Sequence, residues 1–148
     1  MPPWLVILVV MALVTLLLNP DKEEFGWFLR LRRPAWLTFE RWIPVIWSAI
    51  YLSFYVSALL AWQARGSWAL MAAYLTLLLL VQSYTLVICR SRRLANGTVV
   101  GFLGCVWGMA LAVAVTPLSP PAALLLVPFL LWSPVGTFVT WRMERLNR

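Results

Sequence analysis

Apolar residues along this 148-residue chain come in long unbroken runs, not in the alternation of a half-buried strand or the three-and-four spacing of a surface helix. Residues 1–20, 42–64 and 66–89 contain no charged side chain. Each run is long enough to cross a bilayer, which takes roughly 20 apolar residues. Residues 94–141 form a charge-free run about twice that length. Pro117, Pro120 and Pro121 stand at its middle, where a turn is expected. The pattern predicts transmembrane helices over 3–19, 43–63, 68–89, 97–116 and 121–142. The expected fold is an all-α membrane protein, a single five-transmembrane-helix bundle covering residues 1–148 as one domain. A transmembrane β-barrel would need short alternating segments, and none is visible. No Lys or Arg precedes the first apolar stretch, which is longer than a signal-peptide core, so span 3–19 is expected to remain. Membrane spans are apolar all round, so periodicity does not say which face of each turns inward.

Composition agrees. The chain is 63% hydrophobic and 11% charged, too apolar for the surface of a soluble domain this size. Charge then sets an expected orientation. Five spans put the N-terminus, the 64–67 turn and the 116–121 turn on one side, where Arg65 is the sole basic residue among the 12 Lys and Arg. Lys22, Arg30, Arg32, Arg33, Arg41, Arg90, Arg92, Arg93, Arg142, Arg145 and Arg148 all fall on the other side. The positive-inside rule places that second side in the cytoplasm, with the N-terminus outside and the C-terminus cytoplasmic. The net charge of +7 therefore reads as a topology signal. Nothing resembles a groove-reading module, and no nucleic-acid partner is expected.

Absent residue types narrow the chemistry. With no histidine, His-ligated zinc, His general bases and His-ligated haem are excluded. No charged residue lies inside a predicted span, where a proton relay normally shows one. Cys89 and Cys105 are isolated and read as small buried hydrophobes, not as a redox pair. No Gly-rich phosphate loop or nucleophile elbow occurs. No metal, resident cofactor or ordinary acid–base catalyst is expected.

What remains is aromatic and polar-neutral. Trp47, Tyr51, Phe54, Tyr55 and Ala58 share one face of the second predicted helix. Phe129, Trp132, Gly136 and Thr140 form a similar stripe on the fifth, with Gly136 leaving room beside the Trp132 indole. Gln82, Ser83 and Tyr84 put hydrogen-bonding groups mid-span, where lipid contact would be costly. Each of these residues fits plain bundle packing as well as a pocket. As a set they describe an apolar cavity with a few polar handles, as small-molecule sites are built. Gly104, Gly108 and Ala112, and Ala49, Ser53, Ser57 and Ala61, form small-residue ridges for close helix contact within a monomer or between protomers. Trp36 and Trp42 stand where a charged loop meets an apolar run, a position suited to interfacial anchors.

The stretch F-G-W-F-L-R-L-R-R-P-A-W at 25–36, followed by W-I-P-V-I-W-S-A-I-Y at 42–51, resembles the translocator protein family, also called TspO/MBR or tryptophan-rich sensory proteins. The run L-L-L-V-P-F-L-L-W-S-P-V-G-T-F-V-T-W at 124–141 is similar to that family's last-helix pattern. The resemblance covers nearly the whole chain. It implies a five-helix bundle, commonly a homodimer in the lipid bilayer, that binds tetrapyrroles such as protoporphyrin or haem, sterols, or other hydrophobic small molecules. Porphyrin or haem would be ligand, not cofactor. It implies that loop 20–41 is a lid over the pocket, with Trp27, Pro34 and Trp36 matching the loop motif. Trp47 and Trp132 match the family's porphyrin-associated tryptophans. Gln82 and Gly136 match pocket-lining positions. Tyr51, Phe129 and Thr140 complete the expected ligand-binding set. The family's W-x-P-P is here Trp36-Leu37-Thr38-Phe39, its fifth-helix Asn is Thr140, and its sterol-motif tyrosine is Trp141, ahead of Arg145. The function so implied is a membrane receptor or carrier for a planar hydrophobic ligand. One alternative is a light-dependent porphyrin-degrading enzyme with Trp47 and Trp132 as its redox-active, catalytic indoles. Another is sterol binding, or a structural or assembly role without ligand.

Overall fold

The computed structural model describes residues 2–36, 38 and 40–147, whose regular elements are all helices, with no strand among them. The helices are α1 (Pro3–Leu17), α2 (Lys22–Leu29), α3 (Ile43–Ala64), α4 (Trp68–Ser91), α5 (Leu94–Val115), α6 (Pro120–Leu124) and α7 (Val127–Leu146), with a 3-10 turn at Glu40–Trp42 leading into α3. Four segments are long and apolar enough to cross a membrane: Glu40–Ala64, Trp68–Ser91, Leu94–Val115 and Pro120–Leu146. With 15 residues, α1 is about 22 Å long, short of the roughly 30 Å hydrocarbon core. It qualifies only jointly with α2, which turns away from it by 75°. The helices thus supply four candidate spans, or five if that bent pair counts as one.

Two elements depart from the sequence pattern. The segment expected as loop 20–41 contains α2. Asp21 starts it with a capping box, accepting from the Glu24 N–H at 2.9 Å while Glu24 accepts from the Asp21 N–H at 3.3 Å. Glu23 and Glu24 in the first turn also suit the positive end of the helix dipole. The helix expected over 121–142 runs from Pro120 to Leu146 but breaks at Leu125–Leu126. Pro128 explains the break, since a proline ring clashes with the carbonyl four residues earlier, and α6 ends there, at Leu124. Leu37 and Phe39 of the altered loop motif lie outside the described residues.

The long helices form a closed ring in the order α1, α3, α6–α7, α5 and α4, with α1 returning to α4. Burying apolar surface drives little helix association inside lipid, so close packing of small residues matters more. Glycines of α5 supply it. A Cβ at Gly101 would lie 2.5 Å from Thr137 Oγ1, and one at Gly108 would lie 2.7 Å from Phe129 Cε1. The Gly104/Gly108 ridge therefore serves contact within the bundle. One core gathers Ile50, Phe54, Ala58, Tyr74, Leu77, Leu111 and Phe129; a smaller one gathers Ile88, Leu94, Val139 and Met143 beneath Trp27 and Phe28. Ser57 is fully buried and joins three elements: its hydroxyl lies 2.8 Å from the Tyr74 hydroxyl and donates to the Ala122 carbonyl at 2.7 Å. Cys89 and Cys105 are both free thiols.

Candidate functional site

At the end of the bundle where α2 lies, the helices diverge around a cavity of about 540 Å³. That size is within the usual range for small-molecule sites. Trp47 and Tyr51 of α3 form one wall, and Trp132, Gly136 and Thr140 of α7 form another. Val81, Gln82, Tyr84 and Thr85 of α4 close the third side. Phe25, Phe28 and Leu29 of α2 make the roof, with Arg33 and Glu40 at its edge. A void of about 40 Å³ lies behind Trp47 and Trp132 and reaches Phe129 and Gly104.

Helical spacing places each wall. Trp47 and Tyr51 are four residues apart, so their rings stand one above the other, with centroids at 5.7 Å. Trp132, Gly136 and Thr140 repeat the same step on α7. A Cβ at Gly136 would meet Trp132 Nε1 at 3.5 Å, an ordinary contact, so glycine is not demanded by packing there. Glycine there adds no side chain beside the Trp132 indole. The Gly136 carbonyl accepts from Thr140 Oγ1 at 3.1 Å and from the Tyr84 hydroxyl at 3.4 Å. Gln82 lines the cavity but its Nε2 donates to Thr15 Oγ1 at 2.8 Å, tying α4 to α1.

The roof is fastened at four points. Arg33 Nη1 donates to the carbonyls of Phe28, Leu29 and Leu31 at 2.9, 3.2 and 2.6 Å, and its Nε pairs with Glu40 Oε1 at 2.9 Å. Its guanidinium also stands 5.0 Å from the Phe28 ring centre. Asn147 accepts the Arg32 N–H at 2.9 Å and donates to the Arg32 carbonyl at 3.0 Å, bonding both backbone groups of one residue. Glu24 reaches Arg90 at 3.5 Å, and Arg92 lies over the Trp27 ring at 5.8 Å. Arg92 itself takes a left-handed conformation, φ 54°, where α4 ends.

Six of the nine residues expected to bind ligand line the large cavity: Trp47, Tyr51, Gln82, Trp132, Gly136 and Thr140. Phe129 borders only the small void. Trp27 packs on the core of Ile88, Leu94, Val139 and Met143, holding the roof down instead of facing the space. Trp36 lies outside, stacked on Phe138 with centroids at 5.8 Å. The sequence reading missed Phe25, Phe28 and Glu40. The Asp21-x-x-Glu24 capping signature was the available signal, because a helix over 22–29 places Phe25, Phe28 and Leu29 on one face. Among the described residues, no group of His, Cys, Asp and Glu could hold a metal ion.

The model of the TspO/MBR family matches residues 4–146. Translocator protein from Ovis aries is 29% identical over 132 residues, covering 85% of this chain and 78% of its own length. Translocator protein from Bos taurus is likewise 29% identical over 132 residues, with the same coverage. A membrane protein of Bacillus subtilis named YtaB, whose function is uncharacterized, is 24% identical over 133 residues, covering 88% of this chain and 84% of its own length.

Proposed function

Because the chain belongs to the TspO/MBR family, we propose that it is an integral membrane receptor or carrier whose ligand is a planar tetrapyrrole, protoporphyrin or haem. One observation carries the reading: indoles from two different helices, Trp47 and Trp132, line a single apolar cavity of about 540 Å³, with a glycine beside one of them. A flat macrocycle there removes its own faces from water at about 25 cal/mol per Å². Each stacked ring contributes roughly 0.5–1.5 kcal/mol more. With no histidine in the chain, affinity rests on the ring and its edges and not on an iron–histidine bond. The name of the ovine and bovine relatives, translocator protein, agrees with carriage of a cargo.

A tetrapyrrole also brings carboxylates, and among the described residues Arg33 is the cation at the cavity edge. Arg33 is held in plane by three carbonyls and is paired with Glu40. A propionate arriving at the mouth takes the place of the Glu40 carboxylate on that guanidinium, a charge-assisted exchange. The same reading takes α1 as the first of five spans, with the N-terminus outside and eleven of the 12 basic residues in the cytoplasm, where this mouth then opens. It also expects a homodimer, which crosslinking in native membranes tests.

Titration of the detergent-solubilised protein with protoporphyrin, read by tryptophan fluorescence, is the test. Saturable quenching is expected. Trp47→Phe combined with Trp132→Phe weakens binding at least about tenfold, or 1.4 kcal/mol. Quenching that never saturates, or an unchanged affinity in the double variant, rejects the proposal.

A further inference from the structure

Helix α1 touches its two neighbours at different heights. Near its start, Tyr55 of α3 donates to the Trp4 carbonyl at 3.0 Å. Near its end, Gln82 of α4 donates to Thr15 at 2.8 Å. Along α1 and α4, away from the Gln82–Thr15 contact, runs an apolar groove of about 420 Å³, walled by Val6 and Met11 of α1, Ala58 and Trp62 of α3, and Ala72 and Leu75 of α4. It lies at the opposite end of the bundle from the roofed cavity and shares no lining residue with it.

Its length, chemistry and mouth all point to one kind of occupant. The lining runs from Pro3 to Met11 on α1 and from Trp68 to Leu78 on α4, about 12 and 15 Å at the helical rise. Half of a roughly 30 Å hydrocarbon core is about 15 Å, so the groove spans one leaflet and stops mid-membrane. Its floor offers no polar handle, because the Tyr74 hydroxyl is engaged by Ser57 at 2.8 Å. At the mouth, Trp62 and Trp68 meet edge to face at 5.1 Å, the aromatic pairing expected at headgroup level. The turn between them carries Arg65, the sole Lys or Arg that the five-span topology puts on that side, and the topology puts all five carboxylates, Asp21, Glu23, Glu24, Glu40 and Glu144, on the other side.

We infer that this groove seats one acyl chain of an anionic phospholipid from the leaflet at the N-terminal end, with the phosphate opposite Arg65. A helix of a second copy, about 10–12 Å across, rests on the rim instead of entering between α1 and α4. An acyl chain is narrow enough to follow the groove inward, and the charge at the mouth selects its headgroup. The inference is independent of what the roofed cavity binds.

The test uses the full chain in phosphatidylcholine nanodiscs containing phosphatidylglycerol with a photoactivatable group midway along one acyl chain. Adducts mapped by mass spectrometry are expected on 3–11 and 71–78, saturating at one lipid per protomer. Unlabelled phosphatidylglycerol competes and phosphatidylcholine does not. Arg65→Gln abolishes that preference while the site remains. Ala72→Phe, at an exposed position, and Val6→Phe, on the opposite wall, each fill the groove and remove the adducts. Both variants keep the wild-type helical circular-dichroism signal and a single gel-filtration peak, which separates blockage from misfolding; if one fails to fold, the other decides. Adducts spread evenly over all outward helix faces, or unchanged in a folded filled variant, overturn the inference. So does crosslinking of 3–11 or 71–78 to a second copy in place of lipid.

Discussion

One hydroxyl joins α3, α4 and α6. Ser57 is the fully buried link between the Tyr74 hydroxyl and the Ala122 carbonyl, so Ser57→Ala removes partners from two groups at once. A buried polar group left unsatisfied costs about 1–3 kcal/mol, and a lowered thermal midpoint in detergent is the expected result. Gly136→Leu acts differently. Its backbone φ is not one that demands glycine, and the added side chain projects beside Trp132 into the cavity. The variant is expected to fold with an unchanged midpoint yet lose porphyrin affinity by at least about tenfold. Glu40→Gln removes the carboxylate that competes for Arg33, so it tightens binding of free protoporphyrin and leaves its dimethyl ester unaffected, measured by parallel titrations. Trp47 and Trp132 could be picked out in the sequence because each heads a four-residue step along a long span. Glu40 could not, because nothing local says that a loop carboxylate meets Arg33.

The roof helix α2 is a short element whose signals are local and weak beside the apolar runs. The capping box of α2 is the clearest. Asp21→Ala removes it at about 1 kcal/mol, and faster hydrogen exchange over 22–29 with a faster ligand off-rate is the measurable consequence. The long helices were readable from run length alone: the ends of α3, α4 and α5 fall within about three residues of the expected ones, whereas in the last span α7 starts later, at Val127, and runs on to Leu146. The break between α6 and α7 was also written in the sequence, in Pro128, but an unbroken apolar run masked it. Trp27 and Trp36 could be placed in a mobile-looking loop and no further. That neither faces the cavity follows from α2 docking against α4 and from Trp36 stacking on Phe138, tertiary facts without a local signature.

The bundle as a body is held by contact, not by apolar burial, and the tightest contact is α5 on α7. Gly101→Val drives a side chain into Thr137 and is expected to cost about 1–3 kcal/mol and to spread the helices, seen as lower yield of monodisperse protein. The sequence pointed to an α-helical membrane protein because hydrocarbon leaves few other choices for so apolar a chain. It did not yield the ring order, since spans that are apolar all round carry no inward-facing stripe. Nor could it show that Gln82 ties α1 to α4 through Thr15.

Asn147, at the end of α7, binds both backbone groups of Arg32, so that helix end and the covering of the cavity are one mechanical unit. A truncation after Leu146 would unlatch that covering without touching any residue that lines the space below. Reporters fused at the tail would pull on the same latch, and ligand exchange rates measured with and without them should differ for that reason alone.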